Sequence, residues 1–162
     1  MRKYVVFVAV VSIAFFAASC ELLEAAITEN YLEGLITVDE IRRAVGYRGN
    51  LKKTVRNISR EKVSGQVLAH SAKGSPTFRC EITLSELNAE GEFKRWCEMF
   101  FTAKTDLEAP QIGDESRAAI LGTHGSRLAF RKGKLLVDVQ LFCNQKLVKN
   151  ITKLAKLLES RV

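Results

Sequence analysis

The chain is poor in the residues that most often announce a chemistry. It holds two histidines, one tryptophan, two prolines and four cysteines. His70 and His124 are the only side chains whose ordinary titration lies near neutral pH, and neither has a neighbouring Cys or His at ligand spacing. No Cys-x-x-Cys or Cys/His pattern of zinc type occurs, and no Asp/Asn-rich loop of calcium type. A P-loop, a His-Glu-x-x-His helix, a dinucleotide-binding glycine fingerprint and a nucleophile elbow are all missing. The reading is therefore no enzyme, no metal and no cofactor. Long apolar runs are scarce too. The longest, Tyr4 to Ala18, is broken only by Ser12, and its roughly 15 residues fall short of the ~20 that a spanning helix needs.

What that run does fit is a leader. Arg2 and Lys3 precede it, and Ala17, Ala18 and Ser19 follow as small residues. A charged start, a short apolar core and a small-residue cut site form the three-part secretory pattern. Ala17-Ala18-Ser19-Cys20 resembles a bacterial lipobox, with Ala17 where Leu is usual. The resemblance implies lipid attached to Cys20 and cleavage before it. Plain cleavage after Ser19 fits the same residues and would leave the protein secreted, and an uncleaved anchor is the third reading. One acyl chain anchors only marginally, so firm attachment depends on the multiple acylation that the lipobox implies.

The whole chain of 162 residues allows one domain, and its 47% hydrophobic and 27% charged side chains give it a core. The expected division is 1–19 signal peptide, 20–35 membrane-proximal helical segment and 36–162 a single domain. The net charge of +7 favours anionic surfaces at long range. Lys146, Lys149, Lys153 and Lys156 line the wet side of a C-terminal helix while the aromatics lie elsewhere. Nucleic acid is therefore not the expected partner, whereas acidic lipid headgroups suit a tethered protein.

Periodicity gives the elements. Leu22, Leu23, Ala26, Ile27 and Leu35 fall near helical spacing. Thr37 caps a second helix with Glu40 three residues on, Ile41 and Val45 form its inner stripe, and Gly46 ends it. Val63, Gln66–His70 and Phe78–Leu84 read as strands about a Lys73–Pro76 turn. In the latter strand Phe78, Cys80, Ile82 and Leu84 alternate with Arg79, Glu81 and Thr83. Phe93, Trp96, Cys97, Phe100 and Phe101 make the stripe of a helix from about Glu92 to Thr105, expected to pack on the sheet. Ala118–Leu121, Arg127–Arg131 and Leu135–Cys143 are three more strands. Leu147, Ile151, Leu154, Ala155 and Leu158 close the chain as a helix. This order predicts an α+β fold, a mainly antiparallel sheet of about five strands with helices on one face.

Candidate site residues are few. Asp114, Glu115 and Ser116, in the loop after Gly113, and His124, in a Gly-Thr-His-Gly turn, are the ligand-binding candidates. Adjacent carboxylates on an extended chain point apart, so Asp114 and Glu115 suit acid–base work poorly, and Asp114 is expected to accept bonds from loop amides. If Cys20 carries lipid, an oxidising compartment would permit one disulfide among Cys80, Cys97 and Cys143. The pairing is open, and three small buried hydrophobes are the alternative.

Leu35-Ile-Thr-Val-Asp-Glu-Ile-Arg-Arg-Ala-Val-Gly46 looks like the opening helix of small bacterial lipoproteins and of kinase extracytoplasmic sensor domains. Ile112–Ser116, followed by Leu128–Val139 with its Arg131–Gly133 hairpin, resembles a later segment of the same groups, with Ser116 in place of Ala. Thr152–Glu159 matches their closing helix. The resemblance implies a non-catalytic domain for ligand or partner sensing and carries over no functional residue. The expected function is a membrane-tethered extracytoplasmic binding module, with a structural or assembly protein of the envelope as the alternative.

Overall fold

The computed structural model describes residues 27–59, 64–101, 106–107, 110–143 and 147–162. Cys20 and the leader, Val63, the expected helical stretch beyond Phe101 and the side chain of Leu147 lie outside the described residues. The elements run α1 (Glu29–Leu35), α2 (Val38–Val45), β1 (Leu51–Ser59), β2 (Ser64–Ser71), β3 (Thr77–Leu84), α3 (Ala89–Phe100), β4 (Asp106–Leu107), β5 (Glu115–Leu121), β6 (Gly125–Lys132), β7 (Leu135–Phe142) and α4 (Leu147–Glu159). No helix among the described residues is long and apolar enough to cross a membrane.

Local chemistry accounts for the short helices. Thr28 accepts the Tyr31 amide at 3.1 Å and caps α1. Thr37 accepts the Glu40 amide while the Glu40 carboxylate takes the Thr37 amide at 2.9 Å, a closed capping box. Gly46 ends α2 at φ 68°, a conformation that costs a side-chain-bearing residue energy, and its N–H reaches back to the Arg42 carbonyl. Asp39 and Glu40 in the first turn and Arg42 and Arg43 in the last complement the helix dipole.

The sheet has seven strands in the order β1-β2-β3-β7-β6-β5-β4, every neighbour antiparallel. Six strands are seven to nine residues long, and β4 is a two-residue pairing against Ala118 and Ala119. The fold is α+β. Its sheet exceeds the expected five strands by two, the short β4 and the full-length β1, whose inward pattern is interrupted by Lys53 and Asn57. Lys53 sits with only 11% of its side chain exposed because Glu33 of α1 pairs with it at 3.0 Å.

Period-two alternation sends Val67, Phe78, Cys80, Ile82, Leu128, Phe130, Val137, Val139 and Leu141 to one face. There they meet Leu32 and Leu35 of α1, Ile41 and Val45 of α2 and Ile151, Leu154, Ala155 and Leu158 of α4 in one core. Each large side chain buried there contributes about 1.5–3 kcal/mol. Ile27 joins the same core, so the domain reaches back past residue 36, and α1 is part of it.

The remaining helix, α3, goes elsewhere. Phe93 of α3 and Phe101 pack with Ala119 and Ala129, which face away from the core, while Leu128 and Phe130 on either side of Ala129 face into it. The helices therefore do not share one face. Alanines on the second face leave room for the bulky stripe of α3, and β6 is buried on both sides over Leu128–Phe130.

Candidate functional site

Because α3 lies over β5 to β7, no helix among the described residues covers the same face of β1 to β3, and a cleft of about 610 Å³ opens between α3 and strands β3, β7 and β6. Its floor is set by register. Arg79, Gln140 and Arg127 lie side by side across three strands, and Glu81, Asp138 and Ala129 form the next outward-facing row. Its wall is the α3 stripe, with Phe93 buried, Trp96 half-buried, and Phe100 and Met99 exposed by 44% and 67%.

One cation holds wall to floor. Arg127 makes a two-pronged bond to Asp138, Nε to Oδ1 and Nη2 to Oδ2, both at 2.9 Å. Gln140 Nε2 donates to the same carboxylate at 2.9 Å. The Arg127 guanidinium also lies 4.4 Å from the Trp96 ring centre and 4.2 Å from that of Phe100, within cation–π range. The side chains of Arg127 and Asp138 are only 11% and 13% exposed. Water screens this pair less than it does Arg79 and Glu81, which touch at 2.7 Å but are 42% and 29% exposed.

The cleft has a direction. Trp96 and Phe100, in the second half of α3, stand over Arg127. Glu90 and Lys94, in its first half, lie within reach of the charge of Arg131. The helix thus follows the strands from the Arg131 end toward the Arg127 end. Glu92 and Arg95, one turn apart on α3, both line the cleft.

The residues singled out from sequence lie elsewhere. Asp114 Oδ2 accepts from Arg131 Nη1 and from the Gly133 amide, each at 2.8 Å. Arg131 also reaches Glu115 at 3.0 Å. Arg131 thus holds both carboxylates, in a clasp between the loop and the β6–β7 turn. Ser116 Oγ donates to the Pro110 carbonyl, and the Gly113 amide donates to Glu159 of α4 at 2.6 Å. At Gly113, with φ 63°, a Cβ would run into the Arg131 carbonyl. His124 is exposed in the turn at the other end of β5, its carbonyl accepting the Cys143 amide at 2.9 Å. Seven strand residues separate the two loops, about 20 Å, so they do not rim one site.

No disulfide joins any two of Cys80, Cys97 and Cys143. Cys80 faces the core, whereas Cys97 is on α3 across the sheet. Cys143 lies four residues beyond Val139, the register partner of Cys80, a separation of about 13 Å along the strand that no disulfide spans. Burial, with smaller contributions from the charges of Asp138 and Glu81, pushes the Cys80 thiol far above its ordinary range and keeps it protonated.

Sequence reasoning missed Arg127, Asp138 and Gln140. The signal was there: Arg127 on β6, Asp138 and Gln140 on β7, and Arg79 and Glu81 on β3 all fall at outward-facing positions. What hid it was placing α3 on the core face, which left those charges as plain solvated surface.

No family model, curated protein or solved structure matches this chain.

Proposed function

We propose that this is an exported, membrane-tethered binding protein with no catalysis of its own, using the cleft between α3 and the sheet to hold a small molecule. The observation that carries the reading is the cleft's construction. About 610 Å³ lies within the usual range for small-molecule sites. Half-exposed aromatic and thioether groups form one side, and charges fixed by strand register form the other. Arg127 is already satisfied by Asp138 and two rings, so it shapes the site without awaiting a partner. Export rests on the Arg2-Lys3 start, the apolar stretch and the small residues before Cys20, and attachment rests on lipid at Cys20. Without that lipid the protein would be secreted.

Trp96 is the only tryptophan of the chain and lines the cleft, so its fluorescence reports on occupancy directly. A ligand in the cleft shifts Trp96 emission, and Met99→Asp weakens that ligand while leaving the fold intact. Mass spectrometry of the mature N-terminus tests the anchor: the expected species begins at an acylated Cys20, and an intact Met1 would overturn export. The rival reading, an assembly protein of the envelope, needs a docking edge. The edge strand β1 carries Lys52, Lys53 and Arg56 and a bulge between Asn57 and Ser59, features that discourage strand addition. The cleft is therefore the better-supported site.

A further inference from the structure

The cleft's charges can say what kind of molecule it takes, on the reading above that it is a binding site. Three guanidinium groups and three carboxylates line it: Arg79, Arg95 and Arg127 against Glu81, Glu92 and Asp138. Arg127 and Asp138 neutralise one another and are anchored. The other four have capacity to spare. Arg79 spends one nitrogen on Glu81, and its buried Nε–H has no acceptor. Glu92 and Arg95 stand one turn apart on the wall, and neither has a side-chain bond among the described residues.

From this arrangement we infer that the cleft binds a zwitterion with apolar substituents, about the size of a dipeptide, its ammonium group on Glu92 and its carboxylate on Arg95, with Arg79 and Glu81 of the floor as further partners. The net charge of the lining is zero, which favours a ligand with both signs over one with a single sign. Length agrees as well. One helical turn separates Glu92 from Arg95, with Cβ atoms roughly 5–6 Å apart, and neither is drawn toward the other by a bond. The termini of an extended dipeptide are about 7 Å apart. Between those ends Trp96, Met99 and Phe100 offer an apolar wall, and methionine adapts to side chains of differing shape. Arg79 and Glu81 are partly exposed and contribute little to one another, so trading part of that contact for a ligand charge costs little.

The experiment is a titration of the full chain with Leu-Leu, N-acetyl-Leu-Leu, Leu-Leu amide and dodecanoate, followed by Trp96 fluorescence and by calorimetry. Leu-Leu is expected to saturate with a Kd below about 1 mM, and blocking either terminus to weaken binding roughly tenfold or more. Glu92→Ala should cost most of the preference for a free ammonium, and Arg95→Ala most of that for a free carboxylate. Neither side chain bonds to the rest of the fold among the described residues, so circular dichroism should show an unaltered fold. Equal binding by a blocked dipeptide, or binding by dodecanoate alone, overturns the zwitterion and leaves the cleft standing as a site. Absence of heat and of a Trp96 response to all four compounds overturns both readings.

Discussion

Replacing Arg127 with alanine should loosen α3 from the sheet, and the size of the effect can be worked from its contacts. The substitution removes two 2.9 Å bonds to Asp138 and the stacking on Trp96 and Phe100. It leaves Asp138, 13% exposed, with Gln140 as its remaining side-chain donor. Stranding one partner of a fully buried ion pair costs about 3–5 kcal/mol, and a cation over a ring contributes about 0.5–1 kcal/mol at exposed sites and more when desolvated. The pair lies at a cleft rather than deep in the core, so screening lowers the first figure and a total of about 2–4 kcal/mol is expected. For a domain of this size that corresponds to a Tm lower by roughly 6–12 °C. Urea unfolding followed by far-UV circular dichroism measures it, with Trp96 emission as a second probe. Asp138→Asn alone and the double variant complete a cycle, in which the double variant should lose less than the sum of the two singles. A loss below about 0.5 kcal/mol for Arg127→Ala, or strict additivity, would refute the view that this cation pins the helix.

Two further outcomes follow from the clasps around the C-terminus and the loop. The hydrogen bond from Arg161 holds the Glu40 carboxyl down at about 2 against an ordinary 4.5, with the Thr37 amide and hydroxyl assisting and desolvation opposing. A depressed folded-state value stabilises above the unfolded one, so this contribution is whole above pH 4.5 and disappears as pH falls toward 2. Partial exposure of both side chains limits it to about 1 kcal/mol, and Glu40→Gln should flatten urea midpoints between pH 5 and 2 relative to the parent. Gly113→Ala, which forces a Cβ toward the Arg131 carbonyl at a positive φ, should cost about 1–3 kcal/mol by thermal unfolding. An unchanged Tm would remove Gly113 from the account.

Local signals were readable wherever one rule decided the outcome. Thr37, Glu40 and Gly46 announce α2 because capping chemistry is written within ten residues. Phe78 to Leu84 announces β3 because strict alternation has one interpretation. What stayed hidden depends on tertiary partners. Lys53 breaks the inward pattern of β1 and is tolerated only because Glu33, on another element, meets it. The stripe of α3 shows that a helix has an apolar face, and nothing in its spacing tells which side of a two-sided sheet receives it. The small residues Ala119 and Ala129, far along the chain, decide that. The cleft inherits the same obscurity, since it exists only where α3 fails to cover β3. Asp114 looked functional for the opposite reason: a conspicuous loop acid whose partner, Arg131, is seventeen residues away.

The last turn of the chain holds more than its own helix. Arg161 donates to the Leu35 carbonyl and to Glu40, 126 and 121 residues upstream, and Lys132 takes the carbonyls of Glu159 and Val162. The central pairing of the sheet, β3 with β7, likewise joins residues far apart in sequence. Such a topology makes folding slow and late. Until Glu159 to Val162 are docked, the strand β6 and the start of α2 lack these partners, so the two ends of the described domain become ordered together rather than one after the other.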